Sequence, residues 1–158
     1  MDDLRVLVFW YMIEGALVGY VGLAMIGIRL NLKQFIAVGV LQGIVVYLVR
    51  GLYTINKLPF GTHILFNLIG LIIIVHFLTK KSWGISAISG LLGFITVILS
   101  EMFMLPPVFA YLKLTFENLS TDIWVHIALG YIGDWLLILI AAVLFFSRKS
   151  LVNMQNYF

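Results

Sequence analysis

Long apolar runs separated by short polar breaks dominate this chain. The runs are close to the length of a membrane span, because a helix that rises about 1.5 Å per residue needs about 20 apolar residues to cross the hydrocarbon core. The pattern predicts an all-α fold, a polytopic transmembrane helix bundle of five spans that forms a single domain over residues 1–158. The predicted spans are residues 5–28, 34–55, 62–79, 84–105 and 122–146.

Composition supports the membrane interpretation. The sequence is 63% hydrophobic and only 11% charged, whereas soluble domains carry about 25% charged residues. The formal net charge of +3 is small and dispersed along the chain, which excludes a basic surface for nucleic acid. We therefore expect the lipid bilayer as the main partner and a multi-pass location in the cell membrane.

The basic residues between the runs predict an orientation. Lys and Arg in short loops are retained on the cytoplasmic side. With five spans, six basic residues fall on one face and four on the other, which places the N-terminus outside and the C-terminus inside. Residues 106–121 would then form an external loop or an interfacial cap. The six are Arg29, Lys33, Lys80, Lys81, Arg148 and Lys149, and the four are Arg5, Arg50, Lys57 and Lys113.

Small residues recur three or four positions apart in the first and fourth runs. Such spacing lets helix backbones approach closely where lipid supplies no hydrophobic drive between helices. We expect the spans to pack into a bundle through these residues. The Gly15 and Gly19 pair also fits the seam of a homodimer, and that alternative stays open at this point.

Ionisable side chains inside the apolar runs are the main functional signal, because each costs about 2.5 to 3.5 kcal/mol at the centre of a span. With the predicted orientation, most of them fall in the outer half of the bundle, some at mid-bilayer and others near helix ends. This convergence predicts a polar, ligand-binding pocket open to the outside. The predicted pocket residues are Glu14, Arg50, His63, Asn67, Glu101, His126 and Asp134.

The same residues allow other interpretations. Arg50 could form a structural ion pair with Glu14 or Glu101, and the two histidines near the interfaces could simply be hydrated or hydrogen-bonded. Mixed nitrogen and oxygen ligands also suit a divalent transition metal. However, none of the five possible ligands lies three or four positions from another, so we expect neither a metal nor a cofactor; the five are Glu14, His63, Glu101, His126 and Asp134. Proton sensing would use the same residues, since histidine titrates near physiological pH.

Catalytic motifs are missing from the sequence. It has no His-Glu-x-x-His, no Gly-x-Ser-x-Gly and no phosphate-binding glycine loop with lysine, and its cysteine count of zero removes thiol chemistry and disulfides. We do not expect an enzyme.

Several loop patterns carry a family resemblance. Residues 28–33 (IRLNLK), residues 58–63 (LPFGTH), and Glu101 followed by Pro106 resemble the multi-helix membrane input domains of Gram-positive (Firmicutes) sensor histidine kinases of the sporulation and peptide quorum-sensing type. The resemblance covers nearly the whole chain. It implies a membrane domain that senses an external or membrane signal and continues into cytoplasmic phosphotransfer and ATP-binding regions.

The chain departs from that family after Arg148, where residues 150–158 leave no room for a kinase part. It would therefore be either a stand-alone relative or the membrane piece of a longer protein. Our leading hypothesis is a sensory or regulatory membrane domain that binds a small ligand, peptide, lipid or ion from outside and signals to a cytoplasmic partner, a kinase in the family's case. The rival hypotheses are a small transporter subunit or channel, and a structural subunit that assembles with other membrane subunits.

Overall fold

The computed structural model describes residues 3–59, 61–113 and 122–152, and no β-strand occurs among them. The prediction of an all-α fold is therefore confirmed for this part of the chain. The helices are α1 (Leu4–Met25), α2 (Leu32–Ile55), α3 (His63–Thr79), α4 (Trp83–Leu112), α5 (Ile123–Gly133) and α6 (Trp135–Ser147).

The helices have the length and composition of membrane spans. α1, α2 and α4 are each long and apolar enough to cross a bilayer, and α5 and α6 together are long and apolar enough to form one bent span. α3 is apolar but has only 17 residues. The described chain therefore has three to four helices that fit a membrane-spanning role, as expected of a membrane protein.

Local sequence explains where the helices begin and end. Asn31 and Gln34 form a reciprocal capping box at the start of α2, with Gln34 N donating to Asn31 Oδ1 at 2.9 Å. Such boxes satisfy amide groups that the first helical turn leaves without partners. Helix ends are followed by basic residues in the left-handed conformation, which place positive charge at the negative end of the helix dipole. These residues are Lys57, Lys80, Lys113 and Arg148, with φ between +50° and +55°.

α1 is the central helix of the bundle. It packs against α2, α4 and α6. In its most apolar stretch of 18 residues, 67% of the residues are buried, against 33% in the corresponding stretches of α2 and α4. The contact with α4 brings the two backbones together. A Cβ added at Gly22 would lie 1.9 Å from the Ser89 carbonyl oxygen, and one added at Gly93 would lie 2.4 Å from the Val18 carbonyl oxygen. Glycine is therefore required at both positions.

The face of α1 that carries Gly15 and Gly19 is covered by α2 of the same chain. A Cβ on Gly15 would lie 2.9 Å from Cβ of Gln42, and one on Gly19 would lie 2.6 Å from Cγ1 of Val38. The interpretation of this pair as a homodimer seam is therefore wrong for this structure, because a helix of the same chain already occupies the close approach.

Two predicted boundaries need correction. The fourth span was expected to end at residue 105, but α4 continues through Pro106 and Pro107 to Leu112. The two prolines remove donors only for the carbonyls of the preceding turn, which here belong to exposed residues. Residues 106–112 are therefore helical, and residues 114–121 of the predicted external segment lie outside the described residues.

The last predicted span, residues 122–146, is broken. α5 and α6 meet at Asp134 with a bend of 53°. Glycine and aspartate are both weak helix formers, and Gly133 directly precedes Asp134.

Arg29 holds the far end of α6. Its guanidinium donates to the Leu144 carbonyl at 2.8 Å, to the Lys149 carbonyl at 2.9 Å and to the Tyr20 hydroxyl at 3.0 Å. The carbonyls at a helix C-terminus have no donors within the helix, so this side chain supplies them. Arg29 thereby ties the turn between α1 and α2 to the end of α6.

Replacing Gly22 by alanine should destabilise the bundle, because the new methyl group meets the backbone of α4 and cannot be relieved by a side-chain rotation. We expect a loss of about 1 to 3 kcal/mol, the usual cost of overpacking a core, seen as a lower melting temperature in detergent. Gly84→Ala is the matched control, since a Cβ there meets nothing within 4 Å. Equal melting temperatures for the two variants would contradict the close approach.

Candidate functional site

A π-helical turn shapes the wall of the site. Residues Leu7–Tyr11 form one π-helical segment within α1, and such turns insert an extra residue that shifts which face the flanking residues present. Trp10 and Tyr11 are both buried, and Glu14 follows one turn later. The π turn therefore lies directly beside the polar residues of the first helix.

A cavity of about 230 Å³ lies between α1, α2, α3 and α4. Its lining combines polar side chains with an apolar wall from Val18, Val46, Phe94 and neighbouring residues. Five of the seven predicted pocket residues line it, namely Glu14, Arg50, His63, Asn67 and Glu101. Four different helices thus bring these residues to one place.

Arg50 lies against aromatic rings at this site. Its guanidinium carbon is 5.2 Å from the ring centre of Tyr11 and 5.8 Å from that of Trp10, within the range of cation–π attraction. Its charge also acts on Glu14 and Glu101. The two aromatic rings and the two carboxyl groups therefore both stabilise the arginine. A structural role for Arg50 stays open as an interpretation.

Gln42 and Asn67 form a polar wall deeper in the cavity. Gln42 Nε2 donates to the Asn67 backbone carbonyl at 3.0 Å. The side chains are only 2% and 6% exposed, yet Gln42 Oε1 and Asn67 Oδ1 have no hydrogen-bond partner among the described residues. Buried polar atoms are nearly always hydrogen-bonded, so two such acceptors in one cavity wall mark it as unusual.

His126 and Asp134 do not line the cavity. Trp10 separates them from it, because its Nε1 donates to Asp134 Oδ2 at 3.1 Å and its ring lies 5.2 Å from the His126 ring. Trp10 also lines the cavity. The structure therefore links these two predicted residues to the site through a tryptophan instead of placing them in it.

Ser100 closes the break between α5 and α6. Its hydroxyl donates to the Gly133 carbonyl and accepts from the Leu136 backbone N–H at 3.1 Å. A broken helix in a membrane needs such partners, since no water is present to satisfy the freed groups. Asp134 lies at the same break, and its Oδ1 has no hydrogen-bond partner among the described residues. The break is thus held by one residue of α4 and one of α1.

Carboxylates outnumber cations around the cavity. Glu14 and Glu101 line it together with Arg50, and Asp134 acts on Glu14 from behind Trp10. Within residues 3–59, 61–113 and 122–152, no three His, Cys, Asp or Glu side chains come close enough to hold a metal ion. The site is therefore an acidic, partly apolar cavity with unused acceptors.

His76 belongs to a separate structural contact. Its Nδ1 lies 2.6 Å from the Lys81 carbonyl, which can only accept, and its ring stacks on Trp83 at 3.9 Å. This arrangement holds the turn between α3 and α4, as expected for a structural histidine.

Two residues of the site escaped the sequence analysis. The sequence analysis singled out neither Trp10 nor Gln42, although an amide within a long apolar run is itself a signal for a buried partner. Comparison of the chain with protein-family models, curated proteins and solved structures finds no match.

Replacing Ser100 by alanine should destabilise the α5–α6 break, because it leaves two buried backbone groups without a partner. We expect a loss of about 1 to 3 kcal/mol, measured by thermal unfolding of the purified protein. Ser89→Ala is the matched control, since the buried Ser89 hydroxyl donates only to its own helix, at Ser86. A change no larger than that of Ser89→Ala would show that Ser100 does not stabilise the break.

Proposed function

We propose that this protein is a membrane sensory or regulatory domain that binds a small ligand in the cavity between α1, α2, α3 and α4 and signals to a cytoplasmic partner. One observation carries the proposal: six polar residues from four helices line one cavity of about 230 Å³. Ionisable residues within spans usually mark a functional site, and pockets between helices of a bundle are common binding sites.

The proposed arrangement has five spans, with α3 counted as one and α5 with α6 as another. α3 is about 25 Å long at the usual rise per residue, close to the thickness of the hydrocarbon core. It packs between α2 and α4. The excess of basic residues on one face supports an N-terminus outside and a C-terminus inside. The end of the cavity that Arg50 and His63 line, near the end of α2 and the start of α3, would then lie nearest the exterior and form the cavity mouth.

Trp10 offers a route for the signal. It lines the cavity on one side and holds Asp134, at the break before α6, on the other. A ligand that displaces the tryptophan would change the hydrogen bond at the break and so the position of α6. Two discrete positions of one element are what a coupling mechanism requires. The resemblance to sensor histidine kinases supports a cytoplasmic kinase as the partner.

A small transporter subunit is the second candidate. The mutual interaction of Glu14, Glu101 and Asp134 favours it, since chains of carboxyl groups within a membrane serve as proton relays in transporters. Such a protein would need access to the cavity from both sides of the membrane.

Thiol labelling tests the cavity, because the chain has no cysteine and each introduced thiol is unique. Asn67→Cys should react from outside the cell with a small, charged, impermeant reagent, since thiolate forms in water and not in lipid. Leu65→Cys is the matched control on α3. Leu65 is 60% exposed on the surface of the bundle but would face lipid, and should react at least about tenfold more slowly.

Equal labelling of the two cysteines would contradict a membrane-facing surface on α3, and no labelling of Asn67→Cys would contradict a cavity open to the outside. Labelling of Asn67→Cys from the inside as well would favour the transporter.

Reporter domains fused to the two ends test the number of spans. With five spans the ends lie on opposite sides, so a cytoplasmic fluorescent reporter should function only at the C-terminus and a periplasmic or extracellular enzyme reporter only at the N-terminus. Both ends on one side would show an even number of spans and would turn the cavity mouth against the proposed direction of sensing.

A further inference from the structure

Two side-chain oxygens in the polar wall of Gln42 and Asn67 have no hydrogen-bond donor among the described residues. Gln42 Nε2 donates to the Asn67 carbonyl, and because a carbonyl can only accept, this bond fixes the orientation of the amide group. Gln42 Oε1 therefore points away from that bond. Neither Gln42 Oε1 nor Asn67 Oδ1 has a hydrogen-bond partner among the described residues. Any occupant of this wall must bring hydrogen-bond donors.

The charges of the cavity select the same kind of occupant. Glu14 and Glu101 line it together with Arg50 and His63, and Arg50 already lies against the rings of Trp10 and Tyr11. An anion would gain attraction from Arg50 but meet two carboxylates in surroundings of low dielectric, where like charges repel strongly. A cation would instead be attracted by the two carboxylates and repelled by Arg50. The unpaired acceptors and the two carboxylates therefore both favour a ligand that is a cation with hydrogen-bond donors.

The size and remaining lining limit the rest of the ligand. A cavity of about 150 Å³ holds benzene, so 230 Å³ has room for about nine or ten non-hydrogen atoms on the same scale. Val18, Val46, Phe94, Val97 and Ile98 supply an apolar wall. This wall favours a compact apolar body attached to the donor group.

We propose that the cavity binds a small organic cation, a protonated primary amine on a compact apolar body, whose N–H donors reach Gln42 Oε1 and Asn67 Oδ1 and whose charge is balanced by Glu14 and Glu101. This inference rests on the proposed function of the cavity as a ligand site and adds the chemical class of its ligand. The ammonium group carries three donors, which is enough to serve both amide oxygens and one carboxylate.

Three probes of matched shape test the charge requirement. 2-Phenylethylamine, 2-phenylethanol and phenylacetate carry a cation, a neutral group and an anion on a phenyl body, and each has about nine or ten non-hydrogen atoms, the number that the cavity admits. Binding to the full chain in lipid nanodiscs is measured by calorimetry and by the shift in melting temperature. We expect the amine to bind at least about tenfold more tightly than the alcohol, because a hydrogen bond to a charged group is worth about that factor or more, and the carboxylate to bind least.

Variants locate the binding in this cavity. Gln42→Met and Asn67→Leu nearly preserve volume but remove the acceptors, so each should reduce the preference for amine over alcohol to near unity. Thr96→Val is the matched control, since Thr96 is buried on α4, its hydroxyl donates within its own helix to Leu92 and it does not line the cavity. It should retain the wild-type preference. The melting temperature of each variant without probe shows whether it folds, and Asn67→Leu, which leaves the Gln42 bond to the backbone intact, covers the case in which Gln42→Met does not.

The remaining outcomes each overturn the inference. Equal affinity for alcohol and amine, tightest binding of the carboxylate, or an amine preference that persists in both variants would reject a cation site at Gln42 and Asn67. If the alcohol or carboxylate bound and the variants abolished that binding, the ligand class would be wrong while the proposed ligand site stood. If none of the probes bound, the amine inference would fail, and thiol labelling of Asn67→Cys would still decide separately whether the cavity is open.

Discussion

Hydrocarbon offers no hydrogen-bond partner, and this constraint governs the whole arrangement. Every polar group carried into the apolar bundle has to be satisfied by another part of the protein. Ser100 supplies both backbone groups freed at the break between α5 and α6, and Trp10 supplies one oxygen of Asp134. The rule gives meaning to its exceptions among the described residues, which are one acceptor each of Gln42, Asn67 and Asp134. Two of the three, those of Gln42 and Asn67, belong to residues that line the cavity.

The position of α1 follows from its small residues. Glycines on opposite faces of this helix allow α2 and α4 to approach it at backbone distance, so the helix with the least bulky surface becomes the centre. The π turn at Leu7–Tyr11 then interrupts the regular face just where the cavity begins. Close packing along most of α1 and a changed face at one end together leave a space that side chains from four helices can line.

The sequence predicted the helices and most of the site because both depend on hydropathy and on the scarcity of charge. Glu14, Arg50, His63, Asn67 and Glu101 meet because each lies at a similar height on its own helix. The depth of a residue along its helix can be estimated from the sequence, but the direction in which its side chain points around the helix axis cannot. The placement of His126 and Asp134 behind Trp10 could therefore not be derived. The π turn, the helical path through Pro106 and Pro107, and the cover of Gly15 and Gly19 by α2 depend on tertiary contacts that no local pattern encodes.

The contacts of Arg29 give α6 a particular mechanical character. Two hydrogen bonds from the Arg29 guanidinium group, to the Leu144 and Lys149 carbonyls, fasten one end of this helix, and a third joins the same group to Tyr20 of α1. The other end of the helix begins at a bend of 53°. A helix that is held at one end and bent at the other tilts more easily than it shifts along its axis. Motion that starts beside Trp10 would therefore reach the far end of the bundle as a change of tilt and torsion about Arg29, with little displacement along the axis of the helix.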